Sequence, residues 1–369
     1  MELIQATYIA SRPERDPDRL ARDIAREQSL ETPSELIPAE LAERFLGRVL
    51  DVARSDEHQW RLTIGYPVEC AAGNLSALLQ LLYGNVSFYP RIRLVRLDLP
   101  TDLLAGFPGP IAGLDGIRDH VGASVRPMLL TVLKPRGTPP ARLAALAGAF
   151  ARGGGDILKD DQNIVEADLE AFRARTGRCA EAVMRASETS GRRCLYLPHV
   201  TGSGDELEQR LEIVVGIGLR GVVLCPWIMG LEAASRAARD FGLMWLAHPA
   251  MAGAWTEPAE HGISPAVLLG TLARLAGADL CIYPGRGGRI SSRHADDEQA
   301  IRRALTHPMG QLRATLPCSG GGKTLDQAAA FARANGPDSA LVVGGDLLMR
   351  GDELEAATRS TIDALAAGV

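Results

Sequence analysis

The stretch GGGDILKDDQN, residues 153–163, brings a lysine, two aspartates and an amide together directly after a short apolar run. Asp161 and Gln162 supply carboxylate and amide oxygens, which are ligands for a hard cation such as Mg²⁺. Lys159 is no ligand while protonated, but burial lowers the pKa of an amine, and the neutral amine can react with CO₂ to give a metal-binding carbamate. The local sequence equally allows a plain salt bridge from Lys159 to Asp160 or Asp161.

Two further residues are candidates for proton transfer. Lys134, in LTVLKPRG, ends another apolar run, and Pro135 favours an extended conformation that keeps the lysine at the strand end. A lysine beside a cation is a candidate general acid or base, and the alternative is a solvated surface lysine. His248 follows LMWLA at a similar strand end, where a catalytic and a structural role are equally expected. His199 is a weaker candidate of the same kind.

Two glycine clusters follow neighbouring apolar runs near the C-terminus. Ser319, Gly320 and Gly321 stand in LPCSGGG, and Gly344 and Gly345 stand in LVVGGD. Glycines leave backbone N–H groups uncovered, and such groups at strand ends can bind a phosphate. Either cluster alone would be typical of a tight turn, but two on adjacent strands predict a phosphate site.

Eight short apolar runs of strand type alternate with helix-length amphipathic segments from residue 128 onward. This alternation predicts a closed parallel (β/α)8 TIM barrel, in preference to a doubly wound open sheet. The carboxyl ends of parallel strands share one face of a barrel, so the polar residues that end these runs should meet there. The runs cover residues 128–135, 156–161, 194–200, 221–226, 242–249, 278–285, 316–322 and 340–346.

The N-terminal residues follow a different pattern. Strand-like LIQATYIAS, HQWRLTIGYPVEC and RIRLVRLDLP are interleaved with helical segments, which predicts a small α+β, ferredoxin-like domain. The glycine- and proline-rich stretch AGFPGPIAGLDG, residues 105–116, is a natural linker. We therefore predict two domains, residues 1–110 and a barrel catalytic domain over residues 111–369.

Composition limits the partners. Hydrophobic residues make up 46% of the 369-residue chain and the formal net charge is -5. This balance lacks the broad basic field that recruits nucleic acid or anionic lipid, so neither partner is expected. No run reaches the roughly 18 apolar residues that a membrane span needs. The six cysteines show no paired spacing, which predicts reduced thiols and a cytoplasmic location.

These motifs resemble those of the large subunit of ribulose bisphosphate carboxylase (RuBisCO). GGGDILKDDQN is similar to that family's metal-site segment GG(L/F)DFxKDDE, TVLKPRG to its first catalytic lysine motif, and LYGNVSF to its GNVFG segment. LPCSGGG and VVGGD resemble its two phosphate loops, and the matches keep their order. The resemblance implies a Mg²⁺ site of carbamylated Lys159, Asp161 and Gln162, with Lys134, Lys159 and His248 as the catalytic residues.

The resemblance also implies residues that bind a phosphorylated substrate, beside the two glycine clusters. They are Glu27 and Thr32 in EQSLETP, Asn85 in LYGNVSF, Arg136 in TVLKPRG, and Arg289 in the loop after the sixth barrel strand. Family dimers place the N-terminal domain of one subunit over the barrel of the other. The resemblance therefore implies a homodimer in which Glu27, Thr32 and Asn85 act on the partner's substrate.

Departures from the family pattern argue against CO₂ fixation. Gln162 replaces a glutamate ligand and removes one formal charge from the metal site. Arg289 stands where carboxylases use the lysine that steadies the added CO₂. Four more family residues are replaced, by Pro33, Pro249, Ala252 and Tyr283. The chain therefore resembles the RuBisCO-like proteins, or form IV.

Form IV membership implies an enzyme that stabilises the enediolate of a phosphorylated keto sugar or keto sugar acid. EQSLETP differs from the ESSTGT type of loop, and Pro33 replaces a phosphate-binding tryptophan. Both features favour decarboxylation or carbon–carbon cleavage of a substrate of the 3-oxo-isoapionate 4-phosphate type. The alternative is an enolase or isomerase acting on a methylthio-ketose phosphate in methionine salvage. A non-catalytic binding or regulatory relative, with Lys159 and Asp161 in a plain salt bridge, is a third hypothesis.

Overall fold

The computed structural model describes residues 2–123, 125–290 and 297–369, which form thirteen strands and sixteen α-helical segments. The strands are β1 (Leu3–Ser11), β2 (Arg48–Arg54), β3 (Gln59–Pro67), β4 (Ile92–Asp98), β5 (Met128–Leu133), β6 (Ile157–Asp160), β7 (Leu195–Leu197), β8 (Gly221–Leu224), β9 (Met244–Ala247), β10 (Gly262–Ile263), β11 (Leu280–Pro284), β12 (Leu316–Gly320) and β13 (Ala340–Val342).

The helices are α1 (Pro17–Ser29), α2 (Ala39–Phe45), α3 (Leu75–Tyr83), α4 (Thr101–Leu104), α5 (Gly113–Val121), α6 (Pro140–Arg152), α7 (Leu169–Ser190), α8 (Asp205–Ile217), α9 (Pro226–Met229), α10 (Leu231–Asp240), α11 (Gly253–Thr256), α12 (Ala273–Leu275), α13 (Asp297–Thr306), α14 (Ala328–Asn335), α15 (Gly345–Leu348) and α16 (Leu354–Ala367). A π-helical segment, Ala266–Leu272, leads directly into α12. No described helix is both long and apolar enough to cross a membrane.

The first compact unit contains residues up to Gly109, together with 251–276 and 299–312. Its mixed sheet has the strand order β10-β4-β1-β3-β2, and only the β10–β4 pair is parallel. α1 covers β2 and β3, because its apolar residues Leu20, Ala21, Ile24 and Ala25 recur at helical spacing and are buried. The predicted small α+β domain is confirmed.

Two segments that the sequence analysis assigns to the barrel domain group with this first unit. Ile263 extends the edge of the mixed sheet beside Leu94. The buried guanidinium of Arg93 donates to the carbonyl oxygens of Thr256 and His261 at 3.0 and 3.3 Å. These contacts join residues far apart in sequence, which the local pattern does not register.

The second compact unit contains residues 110–250, 277–298 and 313–369. Its eight parallel strands have the order β7-β6-β5-β13-β12-β11-β9-β8, and all eight predicted runs contain one of them. The sheet closes between β7 and β8, where the Val223 N–H donates to Pro198 O at 2.8 Å and the Val200 N–H donates to Val223 O at 3.1 Å. The predicted (β/α)8 barrel is confirmed.

Alternation along the strands decides which side chains enter the barrel. The residues of one phase pack together in its interior and include Leu130, Val132, Ile157, Leu197, Val223, Leu246, Ile282, Cys318 and Val342. The residues of the other phase, among them Leu129, Leu133, Leu158, Tyr196 and Val343, pack with the surrounding helices. The carboxyl ends of the strands are here called the barrel mouth. When the same alternation is followed to these ends, the residues that face the interior at the mouth include Lys134, Lys159, His199, Cys225, His248, Gly320 and Gly344.

Candidate active site

Lys159 lies inside the barrel mouth, and none of the described residues forms an ion pair with it. The side chain is 1% exposed, and its Nζ donates to the carbonyl oxygen of the adjacent Asp160 at 2.6 Å. In the described part of the chain no carboxylate forms an ion pair with it. Burial lowers the pKa of Lys159 to about 8, against the opposing effect of Asp161 and Asp160. The plain salt bridge that the sequence allowed is therefore not formed, and the amine is easily made neutral.

Asp160 has the opposite phase and points into the helix layer. Its carboxylate accepts hydrogen bonds from Arg175 on α7, from the Tyr196 hydroxyl at 2.9 Å and from the His199 backbone N–H at 3.1 Å. Burial alone would lower the pKa of Arg175, but Asp160 and Glu166 hold it above its ordinary value. Asp160 is thus fully occupied, and the sequence analysis missed Arg175 because a partner on the next helix gives no local signal.

Asp161 and Gln162 follow β6 in a tight turn. The Asp161 N–H donates to Leu133 O at 3.0 Å, and its Oδ1 accepts the Asn163 N–H at 2.9 Å. No group among the described residues donates to its Oδ2. Gln162 is half-buried, and no hydrogen bond engages its side-chain amide within the described residues. Both side chains therefore keep oxygen atoms available for a cation.

These residues fit a metal centre only if Lys159 contributes an oxygen ligand. Residues 2–123, 125–290 and 297–369 contain no group of three His, Cys, Asp or Glu side chains placed to hold a metal ion. A carbamate on Lys159 would add an anionic oxygen beside Asp161 and Gln162 and give the all-oxygen ligand set that suits Mg²⁺.

Lys134 reaches the mouth from the neighbouring strand β5. A Cβ atom built on Gly344 would lie 3.0 Å from the Lys134 Nζ, so the amine lies directly across the end of β13. The positive charge of Lys134 also contributes to lowering the pKa of Lys159, which places the two lysines close together. The structure thus brings the two predicted catalytic lysines into one site.

His248 ends β9 on the same interior face. Burial, and then the charges of Lys159 and His199, hold the pKa of His248 well below its ordinary value. Its Nδ1 accepts the Ala250 N–H at 3.2 Å, so the neutral ring carries its proton on Nε2. His199 is 4% exposed, and its Nε2 lies 3.8 Å from the Cys225 Sγ. His248 is therefore a neutral donor at the mouth.

The two glycine clusters differ in what surrounds them. A Cβ on Gly345 would meet nothing within 4 Å, so this end of β13 is open. Gly320 has the interior phase, whereas Ser319 has the helix-facing phase and its hydroxyl donates to Glu298 Oε1 at 2.6 Å. The Ser319 hydroxyl, expected at the phosphate, is thus engaged on the other side of the strand. The sequence analysis missed Glu298.

The two predicted arginines lie in exposed loops. Arg136 lies two residues after Lys134 and lines a cavity of about 350 Å³ whose wall also includes Glu166 and Arg175. Arg289 packs its Cβ near Gly322, since a Cβ on that glycine would lie 3.0 Å away. Residues Ser291 and Ser292, which end the YPGRGGRISS loop, lie outside the described residues.

The three predicted N-terminal substrate residues belong to the first unit. The Asn85 Nδ2 donates to Glu27 Oε1 at 3.0 Å, which fixes both side chains. Thr32 donates its hydroxyl to the carbonyl oxygen of Leu30 at 2.8 Å, and among the described residues it has no hydrogen bond to that pair. Glu27 and Asn85 therefore form a preformed polar pair that does not include Thr32.

Comparison with known proteins gives matches over nearly the whole chain. The family model "Ribulose bisphosphate carboxylase large chain, N-terminal domain" matches residues 1–102, and the model "Ribulose bisphosphate carboxylase large chain, catalytic domain" matches residues 113–368. The 5-methylthioribulose-1-phosphate isomerase of Rhodospirillum rubrum is 34% identical over 367 residues, which cover 98% of this chain and 96% of the relative.

A second relative and a solved structure extend this result. The 2,3-diketo-5-methylthiopentyl-1-phosphate enolase of Geobacillus kaustophilus is 32% identical over 313 residues, covering 83% of this chain and 75% of the relative. The crystal structure of a Rubisco-like protein from Rhodopseudomonas palustris has a TM-score of 0.88 at 33% identity, covering 99% of this chain and 98% of the other.

Proposed function

Because this chain belongs to the ribulose bisphosphate carboxylase large-chain family, we propose that it is a RuBisCO-like isomerase-type enzyme acting on a methylthio-ketose phosphate. The relatives named as an isomerase and an enolase of methylthio compounds support this alternative of the sequence analysis. They give less support to the 3-oxo-isoapionate 4-phosphate substrate that the N-terminal loop favoured. The proposed reaction belongs to methionine salvage and does not fix CO₂.

The observation that carries this proposal is the state of Lys159. A fully buried lysine without an ion pair is costly, and its lowered pKa leaves part of the amine neutral near pH 8. A non-catalytic relative would have no need of this arrangement and would be expected to pair the charge. Lys134 and neutral His248 beside it complete a set of groups suited to proton transfer.

Lys159 as its carbamate, Asp161 and Gln162 would hold Mg²⁺, which when bound would polarise a substrate ketone and favour loss of the neighbouring proton. Gln162 in place of a glutamate leaves this centre one negative charge weaker, and Arg289 replaces the lysine that a carboxylase uses on CO₂. These two departures support enolate chemistry without carboxylation.

The residues of this chain can move a proton between adjacent carbon atoms. Lys134, as the general base, takes the proton from the carbon beside the ketone, and the C–H electron pair shifts to form the enediolate. Neutral His248 donates a hydrogen bond from its Nε2–H to the oxygen that gains charge and keeps its proton. Lys134 returns the proton to the neighbouring carbon while a hydroxyl proton moves to the former ketone oxygen, so atoms and charge balance.

The test is turnover and exchange in heavy water. Purified protein with Mg²⁺ and bicarbonate is incubated with 5-methylthioribulose 1-phosphate, and ¹H and ³¹P NMR follow product formation and deuterium uptake beside the ketone. We expect both signals in the unaltered protein, none in Lys159→Ala, and both in the surface control Arg185→Ala, whose side chain is 71% exposed.

Parallel incubations with a 2,3-diketo-5-methylthiopentyl 1-phosphate and with 3-oxo-isoapionate 4-phosphate separate the candidate reactions. Reaction of the isoapionate compound alone would overturn the proposal in favour of the cleavage reaction. No exchange with any of the three compounds would favour the non-catalytic hypothesis.

We also propose that the active unit is a homodimer in which the Glu27–Asn85 pair contributes to the partner's site. The 3.0 Å hydrogen bond between them supports this, because it orients two polar side chains before any substrate arrives. Mixing Lys159→Ala chains with Glu27→Ala chains should restore part of the activity in hybrid dimers. Verified hybrids without activity would contradict shared sites.

A further inference from the structure

Glu298 connects the end of one barrel strand to the loop that follows the neighbouring strand. Its Oε1 accepts the Ser319 hydroxyl at 2.6 Å, and its Oε2 accepts the Arg286 backbone N–H at 3.0 Å. The Glu298 side chain is buried, and Ser319 is completely buried. One carboxylate therefore fixes the end of β12 to the loop after β11.

Lys323 balances the charge of this carboxylate. Its Nζ donates to the carbonyl oxygen of Arg286, so Glu298 binds the backbone N–H of Arg286 and Lys323 binds its carbonyl oxygen. Burial lowers the pKa of Lys323, and the nearby Glu298 opposes that change. Glu298, Ser319, Arg286 and Lys323 thus form one connected polar cluster.

The two loops held by Glu298 are in backbone contact. The Ile290 N–H donates to Gly321 O at 2.7 Å. A Cβ on Gly285 would lie 1.9 Å from the Ser319 Oγ, and one on Gly321 would lie 1.9 Å from the Ile290 carbonyl oxygen. Side chains are excluded at both positions, so the path of the glycine loop depends on where Glu298 holds its neighbours.

The glycine loop presents unused donors. Gly321 and Gly322 have φ values of +97° and +96°, a left-handed conformation that strongly favours glycine. Within the described residues their N–H groups donate to no backbone or side-chain acceptor. Successive N–H groups in such a turn form a concave site for an anion.

We infer that Glu298 is a positioning residue for phosphate binding, which acts through Ser319 and Arg286 to hold the N–H groups of Gly321 and Gly322 toward one phosphate. The inference rests on the proposed function only in that the substrate carries a phosphate. Glu298 touches neither substrate nor reacting atoms in this assignment. Its effect is on the geometry of the glycine loop.

The test measures inorganic phosphate binding to the full chain by isothermal titration calorimetry. Glu298→Gln removes the negative charge and leaves one acceptor oxygen for the two donors, the Arg286 N–H and the Ser319 hydroxyl, and Ser319→Ala removes the hydroxyl. Each change is expected to weaken phosphate binding about tenfold, the effect of losing roughly one hydrogen bond to a charged group. Because both act through one cluster, the double variant should bind no more than about twofold weaker than either single variant.

The matched control is Asp156→Asn, which alters another buried carboxylate at the other end of the barrel strands. It should lower the melting temperature and leave the phosphate Kd within about twofold, because no phosphate donor depends on it. If Asp156→Asn weakened phosphate binding as much as Glu298→Gln does, the effect of Glu298 would be one on general stability, and the inference would be overturned. If Glu298→Gln does not fold, Ser319→Ala alone decides.

Turnover supplies an independent readout. With a methylthio-ketose phosphate, Glu298→Gln should raise KM about tenfold while kcat stays within about twofold, because binding and not chemistry is affected. Unchanged phosphate affinity in Glu298→Gln and in Ser319→Ala would overturn the inference, as would unaltered protein that binds no phosphate. Weakened phosphate binding without turnover of any methylthio compound would reject the proposed function and leave this inference standing.

Discussion

The two ends of strand β6 both bury charge but differ in how that charge is matched. At the beginning, Asp156 accepts two hydrogen bonds from the Arg126 guanidinium at 2.7 and 2.8 Å and a third from the Leu129 N–H at 2.7 Å. At the other end, Lys159 is equally buried and has no ion pair in the described part of the chain. We call the end with the Asp156–Arg126 ion pair the complete end of β6, and the end where Lys159 has no ion pair among the described residues the incomplete end.

This difference separates structural charge from functional charge. Completed pairs such as Asp156–Arg126 hold strands and loops in place, and removal of one partner leaves a costly buried charge. An unpaired buried amine lowers stability, so its presence calls for a reason other than folding. Asp160 follows Lys159 directly yet resembles Asp156, because Arg175 and Tyr196 satisfy it. A buried charge without an ion pair among the described residues, Lys159, and a buried charge with its partners, Asp160, are therefore adjacent in the sequence.

The strongest way to break the comparison is Lys159→Met. Loss of the carbamate ligand should reduce turnover by about 10⁴-fold, equivalent to roughly 5.5 kcal/mol. Stability should rise, because methionine fills a similar volume without a buried ammonium. Activity assays and urea unfolding check both effects. A variant that is less stable than the unaltered protein would mean that the lysine is matched by its surroundings after all.

The converse prediction concerns the complete end of the strand. Asp156→Ala should lower the free energy of unfolding by about 3–5 kcal/mol, because the Asp156 side chain is only 3% exposed and its loss removes all three of these hydrogen bonds. kcat of the folded fraction should not change. Asp338→Ala removes the partner of Arg118 at an acidic side chain that is 62% exposed, and should cost less than about 1 kcal/mol. Equal costs for the two variants would contradict a distinction based on burial.

The fold and the core of the site were predictable because their signals are local. Eight apolar runs with polar ends gave the barrel, and they placed Lys134, Lys159 and His248 at one face. The rarity of lysine carries a further signal. The chain has three lysines among 40 basic residues, and all three, Lys134, Lys159 and Lys323, lie at or just beyond the carboxyl ends of barrel strands.

The partners of these residues could not be predicted from the sequence alone. Arg175 and Glu298 reach the site from helices, and their contacts join residues 15 and 21 positions apart whose pairing no periodicity records. The direction of Ser319 could have been deduced, since strand alternation places Cys318 and Gly320 inside and the residue between them outside. Local patterns thus identified reactive groups, whereas tertiary contacts decide which of them are already occupied.

The pH dependence of stability sharpens the comparison. Lys159 has a pKa of about 8 in the folded protein and 10.5 as its ordinary value, so between these values the unfolded chain holds a proton that the folded chain has lost. Stability should therefore rise from pH 8 to pH 10.5, by roughly 3 kcal/mol in total. Urea unfolding without CO₂ or Mg²⁺ should show this rise relative to Lys159→Met. Parallel curves for the two proteins would refute the lowered pKa.

The smallest expected effect concerns Gln162, which leaves the proposed metal site with one negative charge fewer than a glutamate would. Gln162→Glu restores a carboxylate beside Asp161, and since ligand charge sets the affinity of oxygen sites, Mg²⁺ should bind about tenfold more tightly in bicarbonate buffer. Asn163→Asp adds the same charge one residue further along, at an exposed position. If Gln162 coordinates the ion, only Gln162→Glu should tighten binding in a calorimetric titration. Equal gains from both variants would show that Mg²⁺ affinity depends only on the total charge of the loop. The protein ligands of the ion at this end of β6 would then be Lys159 and Asp161 without Gln162.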